Sequence, residues 1–231
     1  MFKSLATWRR LHLWLSVLLS LQLLAWFGSG LLMSAFDINE VRGNLLRKDW
    51  PAADWSSARI APQQLVPTAQ AAAGLQLSLT QRAELPVYLL QGNQGERYID
   101  AQSGKELAPL SPEQATALAL TQYQGEASVQ QVQWLTQVPL EARGLSAPLF
   151  RVDFSDDVTF YLHPVTGQVQ RVRTPLWRAY DFAWMLHIMD YQERENSHNP
   201  LLIASSITAL GFTLSGIVLL VLTLKRRRRS V

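Results

Sequence analysis

Four histidines are the side chains in this sequence best suited to bind a metal ion or a haem iron: His12, His163, His187 and His198. Such a ligand needs a neutral imidazole whose second ring nitrogen is usually held by a hydrogen bond. The complete absence of cysteine excludes disulfides, thiolate metal sites, iron–sulfur clusters and thiol nucleophiles. The sequence also lacks glycine-rich phosphate loops and the GxSxG and HExxH motifs, so it carries no signature of the enzyme classes that use them.

One of these histidines lies in an aromatic segment near the end of the chain, and another follows that segment. Thr174-Pro175 predicts the start of a helix that runs to about Asp190 and is rich in Trp, Tyr and Phe. His187 lies in this helix, and His198 follows eleven residues later. One interpretation is an aromatic helix on a membrane surface followed by a polar helix start. The other is a ligand site for haem or metal.

The other two histidines have simpler local settings. His12 follows Arg9 and Arg10 at the start of an apolar run, where it is either a haem ligand, a contact to an anionic head group or an interfacial residue. His163 lies in a predicted turn and is expected to be structural. No metal site other than these hypothetical ligands is indicated.

Two long apolar runs determine where the histidines must lie. Leu11 to Phe36 is 26 residues without Lys, Arg, Asp or Glu, and Leu201 to Leu224 is 24 more. As helices they would be roughly 36–39 Å long, which is enough to cross a hydrocarbon core of about 30 Å. A cleaved signal peptide is the alternative for the first run, but its apolar region would be about twice the usual length and no A-x-A site follows.

The charge distribution predicts the topology. Eight of the 21 Lys and Arg residues flank the two runs, which leaves 13 positive against 18 negative charges in the middle segment, a net charge of −5. Since cations beside short tails are retained in the cytoplasm, both termini are predicted inside and the middle outside. The basic tails therefore indicate contact with an anionic lipid bilayer rather than with nucleic acid.

This topology limits any haem site. His12 would lie near the inner surface and His187 and His198 near the outer one, so a single haem cannot join them. A site at the outer edge using His187 and His198 remains, as does a site shared in a homodimer or with a partner protein. Soft thioethers from three methionines near that edge would also suit Cu(I), although apolar packing is the alternative. Those methionines are Met33, Met185 and Met189.

The middle segment contains a repeat at a separation of 63 residues. Gly95–Lys105 (GERYIDAQSGK) aligns with Val158–Gln168 (VTFYLHPVTGQ), and both read as a strand that ends in a tight turn with Gly at a positive-φ position. A second strand is predicted before each, over Pro86–Leu90 and Leu149–Phe154. Ser111-Pro112-Glu113-Gln114 predicts a capped helix start before the second pair.

The sequence therefore predicts an α+β fold: two transmembrane helices that flank two α-β-β units with antiparallel sheet. A less certain, Ala-rich helix over about Val66–Ala73 would begin the first unit. The predicted divisions are a basic tail (1–10), a first span (11–35), the repeat region (36–173, units about 60–108 and 109–173), an aromatic helix and loop (174–199), a second span (200–224) and a basic tail (225–231).

Several segments resemble one known family. Tyr161–Val169 (YLHPVTGQV) resembles the Y-x-D-P-x-T-G-x-v signature of PepSY domains, with His163 in place of the usual Asp. Trp8–Leu15, Met185–Tyr191 and Asn196–Pro200 resemble the stretches around the membrane helices of the PepSY-associated transmembrane family. The resemblance implies a bacterial inner-membrane protein with a periplasmic domain.

The resemblance also implies two different functions. Larger members of the family include siderophore-linked reductases that hold haem through membrane histidines, which implies an accessory role in iron or redox metabolism with haem b bound by His187, His198 or His12. PepSY modules also occur in protease propeptides, which implies instead a periplasmic protein-binding module that regulates a protease or senses envelope state. The two differ in whether His187 and His198 are needed.

Overall fold

The computed structural model describes residues 2–66, 74–93 and 95–228, and its chain divides into two compact units. The helical unit comprises residues 1–37 and 178–231, and the α/β unit comprises residues 38–177. Within the described residues, two helices, Leu5–Ala35 and Pro200–Arg228, are long and apolar enough to cross a membrane by length and composition.

The helical unit is built on helices α1 (Phe2–Ala35) and α6 (Pro200–Arg228), which pack against each other. Asn199 caps α6, because its side-chain oxygen accepts a hydrogen bond from Leu202 N at 2.8 Å, and Pro200 takes the first helical position. The last turn of α6 carries Lys225 to Arg228, whose charges favour the negative end of the helix dipole.

A shorter helix, α5 (Pro175–Ile188), leads into the loop before α6, and its residues from Arg178 onward belong to the helical unit. Two carboxylates hold that loop. Asp181, which is buried, pairs with Arg194. Asp190 accepts hydrogen bonds from four backbone N–H groups of the loop, those of Gln192, Glu193, Glu195 and Asn196.

The first part of the α/β unit is a three-stranded antiparallel meander of β1 (Gln76–Arg82), β2 (Leu85–Gly92) and β3 (Gly95–Asp100). Tyr88 and Leu90 alternate along β2 and face Ile99 of β3 in one small core. The segment before β1 covers this core with Trp55 and Ile60 and includes the short helices α2 (Ile38–Val41) and α3 (Pro62–Leu65).

The second part is a four-stranded antiparallel meander of β4 (Val129–Leu135), β5 (Leu149–Phe154), β6 (Thr159–Leu162) and β7 (Val169–Arg173). Helix α4 (Pro112–Gln122) packs on one face of this sheet. The main core lies between them and contains Phe150, Phe154 and Phe160. Ser111 and Gln114 form the predicted capping box at the start of α4.

Much of the predicted architecture is confirmed: two long apolar helices, an α+β class, antiparallel sheets and strands over both halves of each repeat. The α-β-β order is wrong, because β1, β4 and β7 add strands that were not predicted, so the two parts have three and four strands. The predicted helix near Val66 lies for the most part in residues 67–73, outside the described residues. Helix α5 is confirmed, but it ends at Ile188.

Candidate functional site

His12 lies on α1 against α6. Its ring stacks on Phe212 with centroids 4.5 Å apart and planes within 10°. Its Nδ1 lies 2.7 Å from the hydroxyl oxygen of Ser215, which is buried. A Cβ at Gly216 would lie 3.2 Å from the ring, so a glycine at this position lets α6 approach the imidazole closely. The predicted interfacial histidine is therefore packed between two helices.

His187 lies near the end of α5 and is held by α1 in a similar way. Its Nδ1 lies 2.9 Å from the hydroxyl oxygen of Ser29, and its backbone carbonyl accepts a hydrogen bond from Trp26 Nε1 at 2.9 Å. A Cβ at Gly30 would be in ordinary contact with the ring, at 3.7 Å. Two residues one turn apart on α1 thus hold His187 at both its ring and its backbone.

Each of these serine hydroxyls also lies beside a backbone carbonyl of its own helix. Ser29 Oγ is 3.1 Å from Trp26 O, and Ser215 Oγ is 2.6 Å from Phe212 O. A hydroxyl has one proton, so it donates either to that carbonyl or to the histidine, and the tautomer of each ring depends on which acceptor it uses. With the serine proton on the carbonyl, the imidazole proton is on Nδ1 and the lone pair is on Nε2, which is the arrangement that a neutral metal-ligating histidine needs.

His12 and His187 lie at different levels along α1. His12 and Ser29, which marks the level of His187, are 17 residues apart on α1, or about 25 Å along the helix. His198 is exposed in the loop before α6, where its backbone N–H binds the side chain of Asn196. The described part of the chain has no group of three or more His, Asp or Glu side chains placed to hold a metal ion.

His163 is in the turn after β6, and the structure gives it more partners than the sequence indicated. Its Nδ1 accepts hydrogen bonds from the backbone N–H groups of Val165, at 3.2 Å, and Thr166, at 3.1 Å. The proton of this neutral ring is therefore on Nε2. Nε2 lies 2.9 Å from the hydroxyl oxygen of Tyr98 on β3, so this imidazole links the two meanders.

A directed chain of hydrogen bonds results. His163 Nε2–H donates to the Tyr98 oxygen, and the Tyr98 hydroxyl donates to Glu96 Oε2 at 2.7 Å. Hydrogen bonds from Tyr98 and Gln91 lower the pKa of Glu96, and burial lowers the pKa of His163. Burial and the bond to Glu96 raise the pKa of Tyr98. At neutral pH, Glu96 is thus charged while Tyr98 and His163 are neutral.

The hydrogen-bonded side chains of Glu96, Tyr98 and His163 line a cleft of about 700 Å³ in the α/β unit. Trp134 of β4 lines the cleft as well and is 42% exposed, with its ring set edge-on against Phe150. Sequence reasoning missed the cleft, because Glu96, Tyr98 and Trp134 carry no motif. The one available signal was the histidine at a turn position where the resemblance leads one to expect an aspartate.

Comparisons with known proteins add no identification: no family model, no curated protein and no solved structure matches this chain.

Proposed function

We propose that this chain is a two-pass protein of the bacterial inner membrane that serves as an accessory to iron, siderophore or redox metabolism. Its termini lie in the cytoplasm and its α/β unit, a PepSY-like tandem, lies in the periplasm. Haem b is bound at the periplasmic membrane edge through His187. The basic residues outside both apolar helices and the short motifs that resemble the PepSY-associated family support this assignment.

The contact between the Ser29 hydroxyl and Nδ1 of His187 is the observation that carries the haem proposal. In the proposed ligand state Ser29 donates to Trp26 O and accepts a hydrogen bond from Nδ1–H, which leaves the Nε2 lone pair for an iron. A hydrogen bond from the other ring nitrogen is what fixes orientation and basicity in ligating histidines. The hydroxyl group of Ser29 is thus the outer partner of the ligand, and Trp26 holds the helix end that carries it.

His187 would hold haem at the periplasmic edge, and His12, whose Nδ1 contacts Ser215 in the same way, would hold it near the cytoplasmic edge. Haem would supply one-electron transfer, with its potential set by its ligands and by burial. A second ligand would come from His198, a second copy of this chain or a partner protein.

Absorption spectra of the purified protein in mild detergent, supplied with haem b, test this proposal. We expect a reduced-minus-oxidised spectrum with sharp α and β bands that is lost in His187→Ala. Ser29→Ala should keep the ligand but weaken haem binding about 10- to 100-fold, because the ring loses its outer hydrogen bond. His198→Ala tests the ligand role predicted from the sequence.

His163→Asn is the matched control, because it removes an imidazole whose Nε2 already carries a proton. It should leave the spectrum unchanged. A protein that stays colourless after haem is supplied, or a spectrum that survives His187→Ala, would contradict the haem proposal. His12→Ala reports separately whether the second level is occupied.

A second candidate function, a periplasmic protein-binding module that regulates a protease or senses envelope state, is favoured by the cleft in the α/β unit. A redox function needs His187, whereas a binding function should survive the replacement of His187 and His198 by Ala. The same two variants therefore discriminate between the candidates.

A further inference from the structure

The cleft in the α/β unit is lined by negative charge and by no positive charge. Among the side chains that line it, Glu96 is the one that carries a full charge, and the remainder are neutral and include three prolines and Leu145. Arg82 has an electrostatic effect on His163, but it does not line the cleft, and its guanidinium donates to Ala108 O.

The carboxylate of Glu96 is held in a fixed position. Oε2 accepts from Tyr98, and Oε1 accepts from Gln91 at 2.8 Å. Each oxygen has a second acceptor site. His163 fixes Tyr98 in turn, because its Nε2–H occupies the phenol oxygen and directs the phenol proton to Glu96. The hydrogen-bonded series of Glu96, Tyr98 and His163 thus presents an ionised carboxylate that can accept further hydrogen bonds, and none of its three side chains is a cation.

Trp134 supplies an aromatic surface in the same cleft. Its ring is partly exposed, and the edge-on contact with Phe150, at 4.9 Å between centroids, fixes its orientation. The face of an indole attracts cations and packs against apolar groups, and it is the most favourable of the aromatic side chains for a cation. A carboxylate and an indole in one cleft complement a cation that has an apolar body.

We propose that this cleft binds a small organic monocation, an ammonium or guanidinium on an apolar body. The cationic group binds Glu96, and the body packs on Trp134 and the prolines. The cleft volume of about 700 Å³ lies within the range of small-molecule sites. This binding goes beyond the proposed haem function and does not depend on it.

Ligand-observed NMR with the full-length protein in nonionic detergent tests the proposal. Phenethylammonium is the probe, and 3-phenylpropionate is its anionic counterpart with a closely similar apolar body. We expect the cation to bind and the anion not to bind. Glu96→Gln should weaken binding of the cation at least tenfold, and Trp134→Ala should weaken it while leaving the charge preference intact.

Glu84→Gln is the matched control, because Glu84 is an exposed carboxylate in the turn between β1 and β2 and does not line this cleft. It should bind phenethylammonium like the unmodified protein. Equal affinity for the two probes, or equal loss in Glu96→Gln and Glu84→Gln, would overturn the proposal.

Tyr98→Phe guards against a folding artefact, because it keeps the carboxylate and removes only the hydroxyl that positions it. It should weaken binding of the cation less than Glu96→Gln does. If Glu96→Gln alone lowers the thermal midpoint and Tyr98→Phe and Trp134→Ala both bind normally, the cleft is not the site. None of these measurements involves haem, so their outcome is independent of the spectra.

Discussion

The turns after β3 and β6 have the same backbone and different side chains. Gly104 N donates to Asp100 O, and Gly167 N donates to His163 O, both at 2.9 Å. The two glycines have nearly equal positive φ angles, 71° and 73°. In the first turn the carboxylate of Asp100 accepts the backbone N–H groups of the next residues, and in the second the Nδ1 of His163 does so.

The difference shows what an imidazole adds. Asp100 satisfies its own turn, with a further hydrogen bond from the Ser103 hydroxyl at 2.6 Å. His163 satisfies its turn with one nitrogen and reaches the other meander with the second, through Tyr98. A carboxylate accepts only, so it could not donate a proton to Tyr98. The second turn thereby joins the two meanders and lines the cleft, while the side-chain hydrogen bonds of Asp100 stay within the first turn.

The largest difference in the free energy of unfolding between the two turns is expected when their glycines are replaced by alanine. Both variants force alanine into the left-handed region, which costs about 1–2 kcal/mol. In Gly167→Ala the new Cβ would also overlap Leu118 and lie 3.1 Å from Leu110, so overpacking raises the loss to about 3 kcal/mol or more. In Gly104→Ala it would meet Ile60 at 3.3 Å, and the loss should stay near 1–2 kcal/mol.

Thermal unfolding of the full-length variants in detergent measures this difference. Equal losses of stability in the two variants would show that the packing of Leu118 and Leu110 against Gly167 adds nothing to the stability of the second turn. The buried side chain of Gln122 gives an independent reason to expect otherwise, because it donates to Gly167 O and accepts from Val169 N.

A smaller effect is expected when the side chains of the two turns are removed. His163→Ala leaves two backbone N–H groups and Tyr98 without their partner in a half-buried site, and it should lower the free energy of unfolding by about 2 kcal/mol. Asp100→Ala removes more exposed hydrogen bonds and should cost about 1 kcal/mol. Denaturant titration compares the two, and a larger loss for Asp100→Ala would contradict the linking role of His163.

The smallest effect is a pH dependence that separates the two turns. Burial lowers the pKa of His163 from its usual value near 6.5, so the unfolded chain takes up this proton first. The stability that neutral His163 contributes is therefore complete above about pH 6.5 and is lost as pH falls through the lowered folded value, with a slope of at most about 1.4 kcal/mol per pH unit.

Asp100 should act in a more acidic window. Burial opposes its charge, but hydrogen bonds from the Ser103 side chain and from the backbone of Gln102 and Ser103 outweigh it and lower the pKa of Asp100 below 3.8. Its contribution is present above that value and is lost as pH falls further. Stability profiles from pH 7.5 to 3 should show the upper slope disappear in His163→Asn and remain in Asp100→Asn.

Hydrophobic periodicity and charge distribution were sufficient to predict the parts of the fold that depend on local sequence. The apolar runs, the Ser111 capping box and the strand-turn kernels follow from helix length, backbone hydrogen bonding and the positive φ of Gly104 and Gly167. The strands β1, β4 and β7 were missed. Glutamines weaken the apolar signal in the first two, Gln76 and Gln81 in β1 and Gln130, Gln131 and Gln133 in β4. Their pairing with β2 and β5 supplies the stability that local propensity does not.

The sequence by itself determined that the chain has two apolar helices with basic flanks, an antiparallel α/β region between them and four histidines as its ligand inventory. Only the tertiary structure decided how each histidine is used, because a tautomer depends on which donors and acceptors surround the ring in space. Ser29 and Ser215 contact His187 and His12 at Nδ1 alone, whereas two backbone N–H groups and Tyr98 occupy both nitrogens of His163. Those partners lie 65 to 203 residues away along the chain, apart from the backbone of the His163 turn itself, so no local pattern could reveal them.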